Sequence, residues 1–191
     1  MKPKKSIILT ADFFNNETHE VAKKLLGKVL YRREGNKLYR SIISETEAYH
    51  SMQDLACHCS KGITPRTKIM FDRPGHIYVY LIYGMYHMLN FVTMPKGFPA
   101  AVLVRGIKDL TYSDDNGQTF KPLNVLTNGP GKLTKQLKID KSFNGLEVKP
   151  ENNLWVADEN IKIAGSEIKS GPRIGIAYAK EWVYKPWRFW L

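Results

Sequence analysis

Between residues 16 and 27 the apolar positions Val21, Ala22, Leu25 and Leu26 recur at helical spacing and share one face. Asn16 stands where an N-cap belongs and Gly27 where a left-handed cap closes a helix, so the spacing predicts a helix of about ten residues. The period then drops to two. Lys28–Arg33 and Leu38–Glu47 read as strands around the turn segment Glu34-Gly35-Asn36-Lys37, which leaves Glu45, Thr46 and Glu47 at a strand end. Ile77–Tyr83 and Tyr86–Thr93, rich in β-branched and aromatic residues, flank Gly84-Met85 as a second hairpin. Ala100–Arg105 predicts a buried strand, Asn128-Gly129-Pro130-Gly131 opens a short helix carrying Leu133 and Leu137, and Arg173–Tyr178 predicts a last strand. Helices mixed with antiparallel hairpins, without βαβ alternation, specify an α+β fold.

Two connections stand out. Tyr49–Gly75 is long for a compact domain and holds Lys61, Arg66, Lys68 and Arg73 against Asp72, a composition that argues for function. Ser113–Gln118 is a polar loop. No repeat or extended linker divides the 191 residues, so the expectation is one domain over 1–191, with residues 1–6 as a basic tail.

Composition narrows the class. Apolar residues at 43% exclude a disordered chain, and no apolar run reaches the roughly 20 residues of a membrane helix. The net charge of +11 favours a polyanionic partner. Ile7-Ile8-Leu9, followed by Asp12, is too short for a signal-peptide core, and two cysteines one residue apart do not make a disulfide framework. The expectation is a reduced, intracellular setting.

Candidate chemistry falls into a few clusters. Glu45 and Glu47 point to one face if the strand holds. Such a pair suits acid and nucleophile chemistry on a sugar, or one carboxyl with a raised pKa, but also an exposed strand surface. In Tyr78–Tyr86, alternation puts Tyr78, Tyr80 and Ile82 on one face and Val79, Leu81 and Tyr83 on the other. Tyr80 is a candidate to stack on a flat ligand, and Tyr83, beside the turn, to act as a wedge in DNA. Packing explains Tyr78 and Tyr80 equally well at this level. Cys57-His58-Cys59 lacks a second Cys/His pair to complete four-coordination, so a hydrogen-bonding His58 between packed thiols is expected and no metal is assigned. Gly129-Pro130-Gly131-Lys132 lacks the spacing of a phosphate loop. Arg105, ending an apolar run, needs a partner, and Glu47 would supply one. The aromatic, basic segment Trp182–Trp190 reads as structural.

Taken in order, these residues resemble the alkyladenine (3-methyladenine) DNA glycosylase family. The matching stretches include Ala22–Gly27, Glu45-Thr46-Glu47-Ala48-Tyr49, Asp54–His58, Gly62–Arg66, Tyr78–Met85, Asn90, Val102–Arg105, Asn128-Gly129-Pro130, Arg173–Ile176 and Glu181-Trp182 with Lys185-Pro186, and they span nearly the whole chain. The resemblance implies one compact domain with a curved, mainly antiparallel sheet, peripheral helices and a protruding β-hairpin. It implies an enzyme that flips a damaged purine from duplex DNA and hydrolyses its N-glycosidic bond without strand cleavage. Glu47 would activate the water, and Arg105 with the Ile174 backbone carbonyl would position it. Tyr49, His58 and Tyr80 would form the pocket, Tyr83 would intercalate, and Asn90 would clash with the exocyclic amine of guanine. No cofactor or metal is implied; the partner is double-stranded DNA, bound by a monomer away from membranes. The sequence departs from the family at His50-Ser51-Met52-Gln53, where a Gly-bearing stretch is usual, and at His87-Met88-Leu89, so the preferred lesion stays open. A non-catalytic reader of damaged DNA and an RNA- or protein-binding module remain the alternative classes.

Overall fold

Alternating strands far outnumber helical stretches in the sequence, and a computed structural model, which describes residues 6–114, 118–124, 127 and 129–191, resolves them into one sheet. The strands are β1 (Ile7–Ile8), β2 (Val29–Glu34), β3 (Lys37–His50), β4 (Ile77–Ile82), β5 (Tyr86–Val92), β6 (Ala100–Ser113), β7 (Lys121–Pro122), β8 (Leu154–Asp158), β9 (Lys169–Gly171) and β10 (Arg188–Trp190). The helices are α1 (Ala11–Phe14), α2 (Thr18–Leu25) and α3 (Pro130–Gln136). The main path runs β1-β8-β2-β3-β6-β5-β4, and every pairing is antiparallel. The α+β class therefore stands. The basic tail expected at the N-terminus, the residues Asp115–Gly117 of the polar loop, and Asn128 lie outside the described residues, apart from Ser6, which is exposed and precedes β1.

The centre of the sheet is β3, and its neighbours decide what its C-terminal half presents. Its first half pairs with β2, as Val29↔Ile42 to Glu34↔Lys37. Beyond that, β10 takes the same edge, with Arg188↔Glu47, Phe189↔Thr46 and Trp190↔Glu45. The opposite edge pairs with β6 along its length, with register shifts around Arg40–Ile42 and Ile43–Thr46. A strand ladder on both sides leaves the Glu45–Tyr49 backbone no freedom to shift its side chains.

Helix α2 covers the inner face. Val21, Ala22 and Leu25 are fully buried against the core, and the Thr46 hydroxyl donates to the Ala22 carbonyl at 2.9 Å. The helix begins at Thr18, with Glu17 at the N-cap position. Asn16, expected to cap it, instead donates through Nδ2 to Asp12 and Phe13 carbonyls and closes α1. Gly27 has φ +80°, as the cap requires. Helix α3 packs on β5, and a Cβ at Gly131 would lie 2.8 Å from the Tyr86 ring, so only glycine allows that approach.

Two further expectations change and a third is refined. Strands β3 and β6 run on past Glu47 and Arg105, because each continues to pair with the other through Tyr49↔Ala101 and His50↔Ala100 at one end and Leu38↔Ser113 at the other. Residues 173–178 are not a strand: Gly175 sits at φ +79°, and the edge is supplied by β9 and β10 instead. The C-terminal aromatic segment is structural, as expected: a 3-10 helix over Lys180–Tyr184, then β10, whose Arg188 pairs with Glu47.

Candidate active site

Glu47 and Tyr49, two apart on β3, face the same way. Together with β4, β5, the Ala56–His58 segment and residues 174–178 they line a cavity of about 420 Å³, a size typical of small-molecule sites. Six of the eight residues proposed from the sequence make up one wall or another: Glu47, Tyr49, His58, Tyr80, Asn90 and Ile174. The other two, Arg105 and Tyr83, line it as well.

At the floor, the Glu47 side chain is buried, with 1% exposure. Its carboxylate accepts the Tyr49 hydroxyl at 2.8 Å and the Ile174 backbone N–H at 2.9 Å. Burial pushes the carboxyl above the usual carboxylate range, against the opposing pull of the Ile174 amide, Arg105, the Tyr49 hydroxyl and Arg173. Burial, reinforced by Glu47, also holds the Tyr49 phenol well above its ordinary value, so it stays a donor.

Arg105 pairs with Glu47, as expected, and with Glu45 as a second and closer partner. Its Nε donates to Glu45 at 2.9 Å and stands 3.7 Å from Glu47. Glu45 accepts Arg188 Nη1 at 3.1 Å as well, so Glu45 anchors Arg105 beside the catalytic candidate rather than serving as a second acid. The irregular register between Glu45 and Thr46 is what lets both carboxylates reach one guanidinium.

The tyrosine walls are each backed by an arginine. Arg173 lies 4.7 Å from the Tyr49 ring centre and 5.0 Å from that of Trp187, and Arg66 lies 5.0 Å from Tyr80. Arg173 is wholly buried and makes a two-point pair with Asp54 at 2.6 and 2.8 Å, plus a bond from Nη1 to the Ala48 carbonyl at 2.8 Å. Asp54 in turn accepts the amides of Ala56 and, at 3.3 Å, His50. This clamp ties the long 51–76 connection to the end of β3. Asp54 and Arg173 both fall in matched stretches, yet a lone Asp in a loop carries no signal that its partner lies 119 residues away.

His58 is set by Tyr78, a residue with a role beyond packing. Tyr78 is 2% exposed, and its hydroxyl is 2.9 Å from His58 Nδ1. Burial, with Arg66 and Lys61 nearby, pushes the imidazole down to about 4, so His58 is neutral near pH 7. On either side, Cys57 and Cys59 pair as a disulfide, not the two separate thiols expected. The reason is local: the tight turn over residues 58–61, which Cys57 caps, brings the two Cα atoms to 5.2 Å, within disulfide range, where residues two apart in an extended segment stand about 7 Å apart.

Asn90 is 3% exposed and donates both amide protons, to the Tyr78 and Met88 carbonyls at 3.1 Å each. Its orientation is therefore fixed. At the mouth, the strict alternation of the tyrosine run breaks: Tyr83 adopts φ +52° in the turn, swings round to line the same cavity as Tyr78 and Tyr80, and remains 82% exposed. Met85, across the turn, is exposed too.

Comparison with known proteins identifies the family. Residues 12–191 match the family described as methylpurine-DNA glycosylase. A protein of Methanocella arvoryzae named as a 3-methyladenine DNA glycosylase is 42% identical over 187 residues, covering 96% of this chain and 92% of the relative. One of Sodalis glossinidius with the same name is 45% identical over 182 residues, covering 95% of both. The chain belongs to the methylpurine-DNA glycosylase family and is a DNA glycosylase, a hydrolase of N-glycosidic bonds.

Proposed function

We propose that the protein, as a monomer on duplex DNA inside the cell, extrudes an alkylated or deaminated purine into this cavity. It then hydrolyses the N-glycosidic bond with a water activated by Glu47 and leaves an abasic site in an intact strand. The observation that carries the reading is the pairing of a buried carboxylate with an aromatic cavity whose mouth bears an exposed tyrosine on a hairpin turn.

A carboxylate cannot reach the sugar of a stacked nucleotide, so the base must leave the helix, at a cost of a few kcal/mol that damage reduces. Tyr83 fills the vacated position. Tyr49 and Tyr80 then flank the base, and a ring-alkylated, cationic purine gains roughly 0.5–2 kcal/mol from their faces. His58, engaged by Tyr78 through Nδ1, presents Nε2 to the base edge. The Asn90 side chain, locked by its two donated bonds, cannot turn away from an exocyclic amine at the position it guards.

Chemistry needs one carboxylate. A cationic purine leaves without strong acid assistance, so Glu47 takes the proton of the attacking water and offsets charge on the developing oxocarbenium ion, a contribution of about 10²–10⁴-fold. Arg105 and the Ile174 backbone hold the water and carboxylate in line. No lysine is among the described residues that line the cavity, which supports a reaction without a Schiff base.

The test is incubation of a duplex carrying one alkylated purine, followed by hot alkali. Strand breaks at the lesion only after alkali are expected. Binding without alkali-labile sites would make the protein a reader of damage, and breaks before alkali would add a lyase step.

A further inference from the structure

Away from the cavity, Glu17, His19 and His50 gather where α2 begins and β3 ends, and one ligand-type atom from each lies within 4.8 Å of the other two. We propose that these three side chains bind a first-row divalent cation of the zinc class and so tie the start of α2 to the end of β3.

Each residue is available for that role. His19 lies edge-on to Trp187, with ring centres 4.3 Å apart, and 5.3 Å from the His50 ring. Its Nε2 is buried and has no hydrogen-bond partner, so the ring has lost water there and gained nothing in return. His50 is held through Nδ1, 2.9 Å from the Thr18 hydroxyl, which is itself 3.0 Å from that of Thr93. An oxygen partner on one ring nitrogen is the usual arrangement behind a metal-ligating histidine, and it leaves Nε2 for the ion. Glu17 is exposed, makes no capping bond, and its carboxylate enters no hydrogen bond or ion pair among the described residues.

The donor set selects the ion. Two imidazole nitrogens and one carboxylate oxygen suit zinc and its neighbours, and offer too few oxygens for calcium or magnesium. Metal–ligand distances of about 2.0–2.2 Å place tetrahedral ligands roughly 3.4 Å apart, so the cluster must tighten slightly. Glu17, exposed and unpartnered, has the rotamer freedom to close that gap, and water completes the fourth position. Nearby cations are already engaged: Lys23 with Glu20 at 3.0 Å and Arg173 with Asp54. The sequence's more conspicuous run, Cys57-His58-Cys59, is spent on a disulfide and on Tyr78. His50 also opens the stretch in which this sequence departs from the family pattern, so the site does not follow from family membership or from the proposed hydrolysis.

Calorimetric titration of chelator-treated, tag-free protein with zinc chloride tests the site, with cobalt absorption reporting the ligand type. One saturable ion per chain is expected, with four-coordinate cobalt bands and no thiolate charge transfer. Glu17→Gln, His19→Gln and His50→Gln should each weaken zinc by at least about tenfold, the scale that even outer-shell changes reach. Zinc should raise the melting temperature of the wild type and not of His50→Gln. Glu17→Gln, at an exposed position, keeps the test decisive if a histidine variant fails to fold. Absence of saturable zinc binding, binding retained in Glu17→Gln and the folded histidine variants, or binding lost in Cys57→Ser/Cys59→Ser would overturn the proposal.

Discussion

The Tyr49 hydroxyl donates to the Glu47 carboxylate across 2.8 Å, from two positions along the same face of β3. The wall of the cavity and its candidate base are thereby one unit: whatever tilts the ring also moves the carboxylate. Behind the ring stands the Arg173–Asp54 pair, so the unit is braced from the far side.

That brace predicts a stability effect with a functional echo. Replacing Arg173 by Met leaves Asp54 charged and buried with only backbone amides, and loss of one member of such a pair costs about 3–5 kcal/mol. Denaturant unfolding should show a loss of that order, and base release should slow in the variant under folding conditions. A loss below about 1 kcal/mol would mean that solvent reaches the site.

Glu47 predicts opposite signs for stability and rate. Its folded pKa is raised above the unfolded value of about 4.3, so its contribution to stability is fully present below that value and is lost as pH rises through the folded pKa. Glu47→Gln, which carries no charge, should therefore gain melting temperature over wild type as pH increases across that window. Wild-type base release should instead rise over the same window as the carboxylate ionises. A stability difference independent of pH would contradict the raised pKa.

Tyr83 is exposed, so Tyr83→Ala should leave stability within about 0.5 kcal/mol. If the ring fills the gap left by the extruded nucleotide, lesion binding should weaken by about 1–3 kcal/mol, the worth of one base–aromatic stack. Binding to undamaged duplex should change less. Equal loss on both duplexes would make Tyr83 a general DNA contact.

Much of this site was legible in the chain because its parts are local. Glu47 and Tyr49 are on one strand, Tyr80 and Asn90 on one hairpin, and alternation alone orients them. Positions set by distant partners were not: Asp54 and Arg173 meet across 119 residues, and Glu45 pairs with Arg188 across 143. Tyr83 escaped the alternation rule because a positive φ at the turn redirects it. The missed C-terminal strand has the same origin, since Arg188–Trp190 is too short for a periodic signal and exists only because the upper half of β3 has a free edge.

The +11 charge predicts how affinity divides. Phosphate contacts should give binding a log–log salt slope of about −0.9 per neutralised phosphate, equally on damaged and undamaged duplex. Lesion preference should survive added salt, because the cavity residues proposed to choose the base are nearly uncharged as a set. A preference that collapses with salt would place recognition in the charges.

The central claim is that Glu47 acts in bond cleavage and not in holding DNA. Its most direct test compares wild type and Glu47→Gln in single turnover on a duplex with one alkylated purine, alongside equilibrium binding to the same duplex. Retained lesion binding with base release reduced by about 10²-fold or more is the predicted result. Release at near wild-type rate would contradict it and remove Glu47 from the mechanism.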